Sequence, residues 1–306
     1  MNIKEASIWA RKVLKDNEVD SPEASADFLL RQLLAIDKAQ MLTHPEEKIP
    51  KLQELKFRRW VKKRSKHEPV WYITGKIEFM ELDLAVNQSV LIPRPETELL
   101  VEKILAQYKI QNTKYKILDV GTGSGTIILS LAKHLPLSSL VANPGISSVP
   151  SEGDPRVRKD NICFFASDIS STALDTAKKN KKNNNIAPEI KFVEGDLFGP
   201  WAGEKFDLVV ANLPYVPHED MATLAFDLTH YEPRVALDGG ILGLEVYKRF
   251  IEELPNYLNP GAKVFMEIGY DQGRYIEDFV HKYLPKAKVE TLGDYRQIDR
   301  IVVIET

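Results

Sequence analysis

Residues 117–132 read "ILDVGTGSGTIILSLA", and this stretch decides the fold. Its apolar beginning ends at Asp119-Val120 and is typical of a buried strand. Glycines at every second position from Gly121 to Gly125 permit a tight turn. A helical pattern starts near Thr126, and the main-chain amides at the start of a helix can hold an anion. The pattern predicts a ligand-binding loop between a strand and a helix. Enzymes that bind nicotinamide cofactors use a similar loop, so the glycines alone do not identify the ligand. A phosphate-binding P-loop is excluded, because no Gly-Lys-Ser/Thr follows the glycines.

The rest of the C-terminal two thirds alternates apolar runs with helical patterns. This order predicts an α/β fold with a seven-stranded, mostly parallel sheet and helices on both faces. The last two runs are joined only by a short polar segment, so we expect the last strand to be antiparallel. The predicted strands are "KILDV", "ICFFAS", "IKFVEG", "FDLVVA", "AKVFMEIG", "AKVETL" and "RIVVIE".

Three domains are expected. Residues 1–67 have helical periodicity, with Ser21 as a candidate N-cap before Pro22, and form a small helical domain. Residues 68–92 are predicted to form a β-hairpin linker, and residues 93–306 the α/β domain. Within the latter, residues 136–160 are rich in Ser, Pro and Gly and too long for an ordinary loop, which indicates a surface insertion.

Composition excludes several classes. The 306 residues carry a formal net charge of −3, which does not favour a nucleic-acid partner. The basic segment 56–67 is consistent with a solvated helix face. A single cysteine, Cys163, rules out an intrachain disulfide or a cysteine-based zinc site, and no metal site is predicted. No apolar run approaches the roughly 20 residues that span a bilayer, so we expect a cytoplasmic protein without membrane contact. We also expect a monomer.

Two acidic residues follow the next predicted strands. Asp168, in "FFASDIS", ends the second strand, where a carboxylate can accept hydrogen bonds from both hydroxyls of a ribose. Asp196, in "VEGDLF", follows the third strand, near where an adenine would lie. Either residue could instead be a helix N-cap or a turn residue.

Together, "DVGTGSG", "SDIS" and "EGDLF" resemble the class I S-adenosylmethionine-dependent methyltransferases, whose fold is Rossmann-like. The resemblance implies that the glycine loop passes under the methionine part of S-adenosylmethionine. It also implies that Asp168 binds the ribose and that Asp196 lies beside the adenine. The predicted cofactor-binding residues are Asp119, Gly121, Thr122, Gly123, Ser124, Gly125, Asp168, Asp196, Leu197 and Asn212.

The stretch "ANLPYVP", residues 211–217, follows the fourth strand and suits methyl transfer to a planar nitrogen. Such a nitrogen is a poor nucleophile, and fixing both of its N–H groups aims the lone pair at the methyl group. Asn212 Oδ1 and the main-chain carbonyl of Leu213 are the candidate acceptors. Tyr215 can cover the planar group, and Pro214 fixes the turn. These four residues form the predicted catalytic set, with a plain Asn-Pro turn as the alternative.

Further segments of the sequence restrict the choice of substrate. "EPVWYITGKIEF", "VLIPRPETE", "YEPRVALDGG" and "EIGYDQG" resemble the release factor glutamine methyltransferase family over residues 68–303. The resemblance implies N5-methylation of the glutamine in the Gly-Gly-Gln loop of peptide chain release factors. It also places Arg94, Glu96 and Thr97 near the substrate, although Arg94 and Glu96 could form structural ion pairs instead.

The sequence departs from the usual pattern of this family at two places, and two alternative substrates remain open. Leu213 stands where that family usually has Pro, and "DGGILGL" replaces a pattern with Asp-Gly before Leu. Because position 213 contributes a carbonyl, the side chain there need not matter. A ribosomal protein glutamine is the alternative substrate, and adenine N6-methylation of nucleic acid is the alternative from a different class, since ribosomal RNA adenine dimethyltransferases often use Asn-Leu-Pro-Tyr.

Overall fold

The computed structural model describes residues 1–107, 115–138 and 162–306. Most of the expected insertion, residues 139–160, therefore lies outside the described residues. The helices are α1 (Ile3–Asp16), α2 (Pro22–Leu34), α3 (Lys38–Thr43), α4 (Lys51–Arg64), α5 (Val70–Thr74), α6 (Pro95–Gln107), α7 (Thr126–Ser138), α8 (Ser171–Asn183), α9 (Phe226–Tyr231), α10 (Glu245–Glu253) and α11 (Gly273–Tyr283).

The strands are β1 (Lys76–Phe79), β2 (Leu82–Ala85), β3 (Tyr115–Val120), β4 (Ile162–Asp168), β5 (Ile190–Glu194), β6 (Phe206–Ala211), β7 (Leu258–Glu267), β8 (Lys288–Gly293) and β9 (Asp299–Glu305). Short 3₁₀ turns lie at Gly199–Trp201, His218–Ala222, Arg234–Ala236 and Leu254–Asn256. The β1–β2 pair falls inside the region expected to form a hairpin linker, and α5 precedes it.

The chain divides into two compact units. The first combines Met1–Lys76 with two short later segments, Val86–Gln88 and Leu224–Tyr231. Its helices pack apolar faces together around side chains such as Leu29, Leu30 and Phe57, which are fully buried. Burial of these faces supplies the main driving force for this unit.

Local signals in the first unit explain where two helices begin. Asn2 caps α1 in a reciprocal capping box with Glu5, which satisfies main-chain donors that the helix leaves free. Helix α2 begins at Pro22 as expected, but the side chain of Ser21 makes no capping hydrogen bond. Ser21 therefore occupies the expected N-cap position, but its left-handed φ of 49° differs from the usual extended N-cap conformation, and its side chain does not bond the helix amides.

The second unit contains Ile77–Ala85, Ser89–Thr223 and Glu232–Thr306. Its described residues form a seven-stranded sheet in the order β5-β4-β3-β6-β7-β9-β8. Strands β3 to β7 pair in parallel, and β9 is antiparallel to both β7 and β8. The expected mostly parallel sheet with an antiparallel last strand is confirmed.

Both faces of the sheet are buried. In β3, Ile117 belongs to one apolar cluster, whereas Leu118 and Val120 belong to the cluster on the opposite face, as the two-residue repeat of a strand requires. The chain runs outward from β3 to β5 and then returns to β6 on the other side of β3. Ligands of open α/β sheets bind at such a reversal, outside the carboxyl ends of the strands.

Candidate active site

The glycine loop after β3 lies at that reversal, and its three glycines all have positive φ, of 74°, 56° and 82°. A Cβ on Gly121 would lie 3.0 Å from Leu213 Cδ2, and one on Gly125 would lie 2.9 Å from Leu129 Cδ1. A Cβ on Gly123 would meet nothing within 4 Å. Gly121 and Gly125 therefore allow close packing, while Gly123 keeps the loop open toward a ligand.

Asp119 supports this loop from the interior. Its Oδ2 accepts a hydrogen bond from the Thr122 hydroxyl at 2.6 Å and one from the Ile128 amide at 3.3 Å. Burial raises the pKa of Asp119 to about 7, against the effect of those hydrogen bonds. Within the described part of the chain, its other oxygen, Oδ1, is buried without a hydrogen-bond partner.

Asp168 ends β4, the strand beside β3, and its side chain forms a hydrogen bond with the glycine loop. Its Oδ2 accepts a hydrogen bond from the Gly123 amide at 2.8 Å, and its Oδ1 accepts one from the Ser170 amide at 2.9 Å. Burial raises the pKa of Asp168. The N-cap of α8 is Ser170, whose side chain accepts from Ala173, so Asp168 does not have the alternative role of a helix cap.

Asp196 lies in the turn after β5 and forms an ion pair with Arg249 of α10. Both side chains are about half exposed, so the pair itself contributes little to stability. The next residue, Leu197, is buried and has a positive φ of 46°. The sequence did not predict a role for Arg249, because the pattern of an amphipathic helix does not show which of its basic residues lies beside a binding site.

Asn212 follows β6 and reaches the end of β7. The Thr97 hydroxyl, on α6, donates a 2.6 Å hydrogen bond to Glu267 Oε2 and accepts one from Asn212 Nδ2 at 3.1 Å. The Tyr215 hydroxyl donates to the other Glu267 oxygen at 3.3 Å. Glu267 is buried, and burial raises its pKa. Two residues of the predicted catalytic set are thus tied to one carboxylate that the sequence had not singled out.

The main chain of Leu213 is fixed by Tyr247. The Leu213 amide donates a hydrogen bond to the Tyr247 hydroxyl at 3.1 Å, and that hydroxyl donates to the Glu267 main-chain carbonyl. The Leu213 side chain is buried. Gln272 fixes the main chain two residues later, since its Nε2 donates to the Tyr215 carbonyl at 2.9 Å. Sequence alone could not pair these residues, because the contacts cross different strands and helices.

The segments "IPRPETE" and "YEPR" are joined by an ion pair. Arg94 Nη2 lies 2.5 Å from Glu232 Oε1, and the Ile92 amide donates to Glu232 Oε2 at 3.1 Å. Glu232 is buried. The ion pair that was the alternative for Arg94 is therefore present, and the buried Thr97 lies beside Asn212.

A cavity of about 290 Å³ collects most of the predicted residues. Among the residues predicted from sequence, its wall contains Thr97, Gly121, Thr122, Gly123, Ser124, Asp168, Asp196, Leu197, Asn212, Leu213 and Pro214. Asp119, Gly125, Tyr215, Arg94 and Glu96 do not belong to that wall. Unpredicted members of the wall include Pro93, Pro233, Val235, Asp238 and Arg249.

Two features are absent from the described residues. No group of three or more His, Cys, Asp or Glu side chains there could hold a metal ion. In the same part of the chain, no helix has the length and apolar character needed to cross a bilayer.

Comparisons with known proteins decide the family. Residues 5–75 match the family model of the PrmC N-terminal domain, and residues 111–267 match a methyltransferase domain. The release factor glutamine methyltransferase of Bacillus cereus is 33% identical over 309 aligned residues, which cover 100% of this chain and 99% of that protein. The chain belongs to the release factor glutamine methyltransferase family. It is a methyltransferase with the class I fold expected from its sequence.

A second sequence relative supports this family assignment. The Clostridium acetobutylicum protein is 34% identical, with 99% of this chain and 98% of that protein covered. A solved protein-(glutamine-N5) methyltransferase from Alicyclobacillus acidocaldarius is 24% identical, covering 72% of this chain and 98% of that chain at a TM-score of 0.40. The assignment rests on the sequence relatives.

Proposed function

We propose that this enzyme transfers a methyl group from S-adenosylmethionine to the side-chain N5 of the glutamine in the Gly-Gly-Gln motif of peptide chain release factors. The observation that carries the proposal is the Asn212–Leu213 pair beside the glycine loop, in a chain similar along its whole length to release factor glutamine methyltransferases. A cytoplasmic location, a monomeric state and no direct nucleic-acid contact remain predictions from the sequence.

The cavity residues fit S-adenosylmethionine. Gly123 leaves open space where a side chain would stand, as a closely approaching ligand requires. Each Asp168 oxygen accepts one main-chain hydrogen bond, and a carboxylate oxygen can accept a second, here from a ribose hydroxyl. Asp196 and Arg249 at the cavity wall present polar edges suited to an adenine. S-adenosylmethionine supplies an electrophilic methyl group on a sulfonium.

The protein's own contribution to the reaction is positioning. An amide nitrogen has a delocalised lone pair and attacks poorly unless it is oriented. Asn212 Oδ1 and the Leu213 carbonyl accept the two N–H groups of the substrate amide, so the lone pair is directed at the methyl group. These hydrogen bonds strengthen as the nitrogen gains positive charge, which lowers the barrier selectively. As the C–N bond forms, the sulfonium–methyl bond would break to leave a neutral thioether, and the amide nitrogen would lose one proton to solvent.

The choice of substrate is tested by offering each candidate separately. The enzyme is incubated with labelled S-adenosylmethionine and, in separate reactions, purified release factor, ribosomal proteins or ribosomal RNA. We expect label on the release factor. Label on a ribosomal protein alone would favour the alternative glutamine substrate, and label on RNA alone would contradict protein methylation.

A further inference from the structure

Glu267 lies where the hydrogen bonds of the motif 212–215 converge. It ends β7, next to the end of β6, because Ala211 and Met266 are paired in the sheet. Its carboxylate accepts hydrogen bonds from the hydroxyls of Thr97 and Tyr215, one on each oxygen. The side chain is 1% exposed, so these partners, rather than solvent, determine its interactions.

The proton of the Thr97 hydroxyl determines how Asn212 is oriented. A hydroxyl carries one proton, and the 2.6 Å distance to Glu267 Oε2 shows that Thr97 donates this proton in a hydrogen bond to the carboxylate. Toward Asn212, the Thr97 oxygen can then only accept. The Asn212 amide must therefore present its nitrogen, Nδ2, which lies 3.1 Å from Thr97 Oγ1.

The same contacts fix which atom of Asn212 faces the cavity. Because Asn212 Nδ2 donates to Thr97, which in turn donates to Glu267, the amide nitrogen of Asn212 faces the carboxylate side. Its oxygen, Oδ1, is the atom left for the cavity, of which Asn212 forms part of the wall.

We propose that Glu267 is a positioning residue that acts through Thr97 to hold Asn212 with Oδ1 toward the substrate nitrogen. The inference rests on the proposed methylation of a planar amide. If the Asn212 amide were rotated by half a turn, its N–H groups would face the N–H groups of the substrate, and the acceptor would be lost. The same carboxylate fixes Tyr215, so one buried group orders both polar side chains of the motif.

Three variants test the proposal. Thr97→Val keeps the shape but removes the hydroxyl, and we expect kcat to fall about 10²-fold because the acceptor is misplaced. Thr97→Ser restores the hydroxyl and should recover most of the lost rate. Glu267→Gln replaces one of the two acceptor oxygens with an NH₂ donor, so one of the two hydroxyls loses its acceptor and kcat should fall roughly tenfold or more. KM and cofactor affinity by calorimetry should stay near the wild-type values, whereas the melting temperature of Thr97→Val and Glu267→Gln should fall because buried hydrogen bonds are lost.

Thr176→Val is the matched control, because Thr176 is also buried but lies outside the cavity wall. It should keep the wild-type kcat. Wild-type kcat in Thr97→Val would overturn the proposal. Equal losses in Thr97→Val and Thr97→Ser would also overturn it, because packing rather than the hydroxyl would then matter. A rise in KM at constant kcat would show direct substrate binding by Thr97 instead of positioning.

A second readout does not depend on the substrate. In protein labelled with ¹⁵N-asparagine, the side-chain NH₂ signals of Asn212 are identified by their loss in Asn212→Asp. We expect these signals to shift and their protons to exchange faster in Thr97→Val, whereas unchanged signals would overturn the proposal. If the wild-type enzyme fails to methylate release factor, the proposed function fails, but the same measurement on Thr97→Val and on Glu267→Gln still decides whether these residues hold Asn212.

Discussion

At the scale of single residues, Leu213 shows how a departure from a motif can be tolerated. Its main-chain carbonyl is the group proposed to contact the substrate, and any residue supplies one. Its amide and side chain have local roles, since the amide donates to Tyr247 and the side chain packs beside Gly121. The change from Pro to Leu therefore adds a hydrogen bond without removing the carbonyl.

Leu213→Pro should consequently cost stability more than activity. Proline has no N–H, so the hydrogen bond to the buried Tyr247 hydroxyl is lost, and we expect the free energy of unfolding to fall by about 1–2 kcal/mol. Urea denaturation measures this loss, with Leu213→Met as the control that keeps the amide. A gain in methyl-transfer rate without loss of stability would show instead that Leu213 impairs positioning of the substrate.

Asp119 predicts a dependence of stability on pH. Its pKa rises from 3.8 to about 7 on folding, so the folded state binds the proton more tightly. The stability that this provides is complete below about pH 4 and is lost as the pH rises through 7. Asp119→Asn should therefore gain stability relative to the wild type as the pH increases over this range, measured by urea denaturation without cofactor. A pH-independent difference would contradict the raised pKa.

At the scale of secondary structure, the ends of neighbouring strands build the site. The sequence predicts the strands and the residues that follow β3, β4 and β6, because each carries a local pattern of glycine, carboxylate or Asn-Leu-Pro-Tyr. Glu267 ends β7 in the same row, yet an acidic residue after an apolar run has no distinctive pattern. Its role depends on Thr97, 170 positions earlier, and only the fold brings the two together.

The ion pair between Arg94 and Glu232 connects the loop before α6 to the residue after α9. Arg94→Ala would leave the buried Glu232 carboxylate without its cation, and we expect the free energy of unfolding to fall by roughly 1–3 kcal/mol. The double variant Arg94→Gln with Glu232→Gln should recover part of this loss, because no buried charge remains. Chemical denaturation measures both, and an unchanged stability in Arg94→Ala would contradict the structural role of the pair.

At the scale of the whole molecule, the units do not follow the boundaries expected from the sequence. Leu224–Tyr231 belongs to the first unit although more than a hundred residues of the second unit precede it. The Tyr231 hydroxyl donates to the Lys66 carbonyl at 2.7 Å, and the ring of Phe226 lies 5.3 Å from that of His67. Periodicity could not predict this membership, because it depends on contacts between distant segments.

Native-state hydrogen exchange tests this division. In increasing denaturant, the amides of α9 should lose protection together with α1, α2 and α4, because they share one set of contacts. Peptide-level mass spectrometry follows both groups, with β6 as the reference for the second unit. Loss of protection in α9 together with β6, and not with α4, would contradict the assignment.

The most direct test of the central claim is mass spectrometry of the Gly-Gly-Gln peptide from release factor treated with the enzyme and S-adenosylmethionine. With the wild-type enzyme, we predict one added methyl group on the glutamine side chain and none when that glutamine is replaced by alanine. Asn212→Ala should bind the cofactor normally and lose most of the methylation. Unmodified glutamine after treatment with wild-type enzyme, or a methyl group on another residue, would contradict the account.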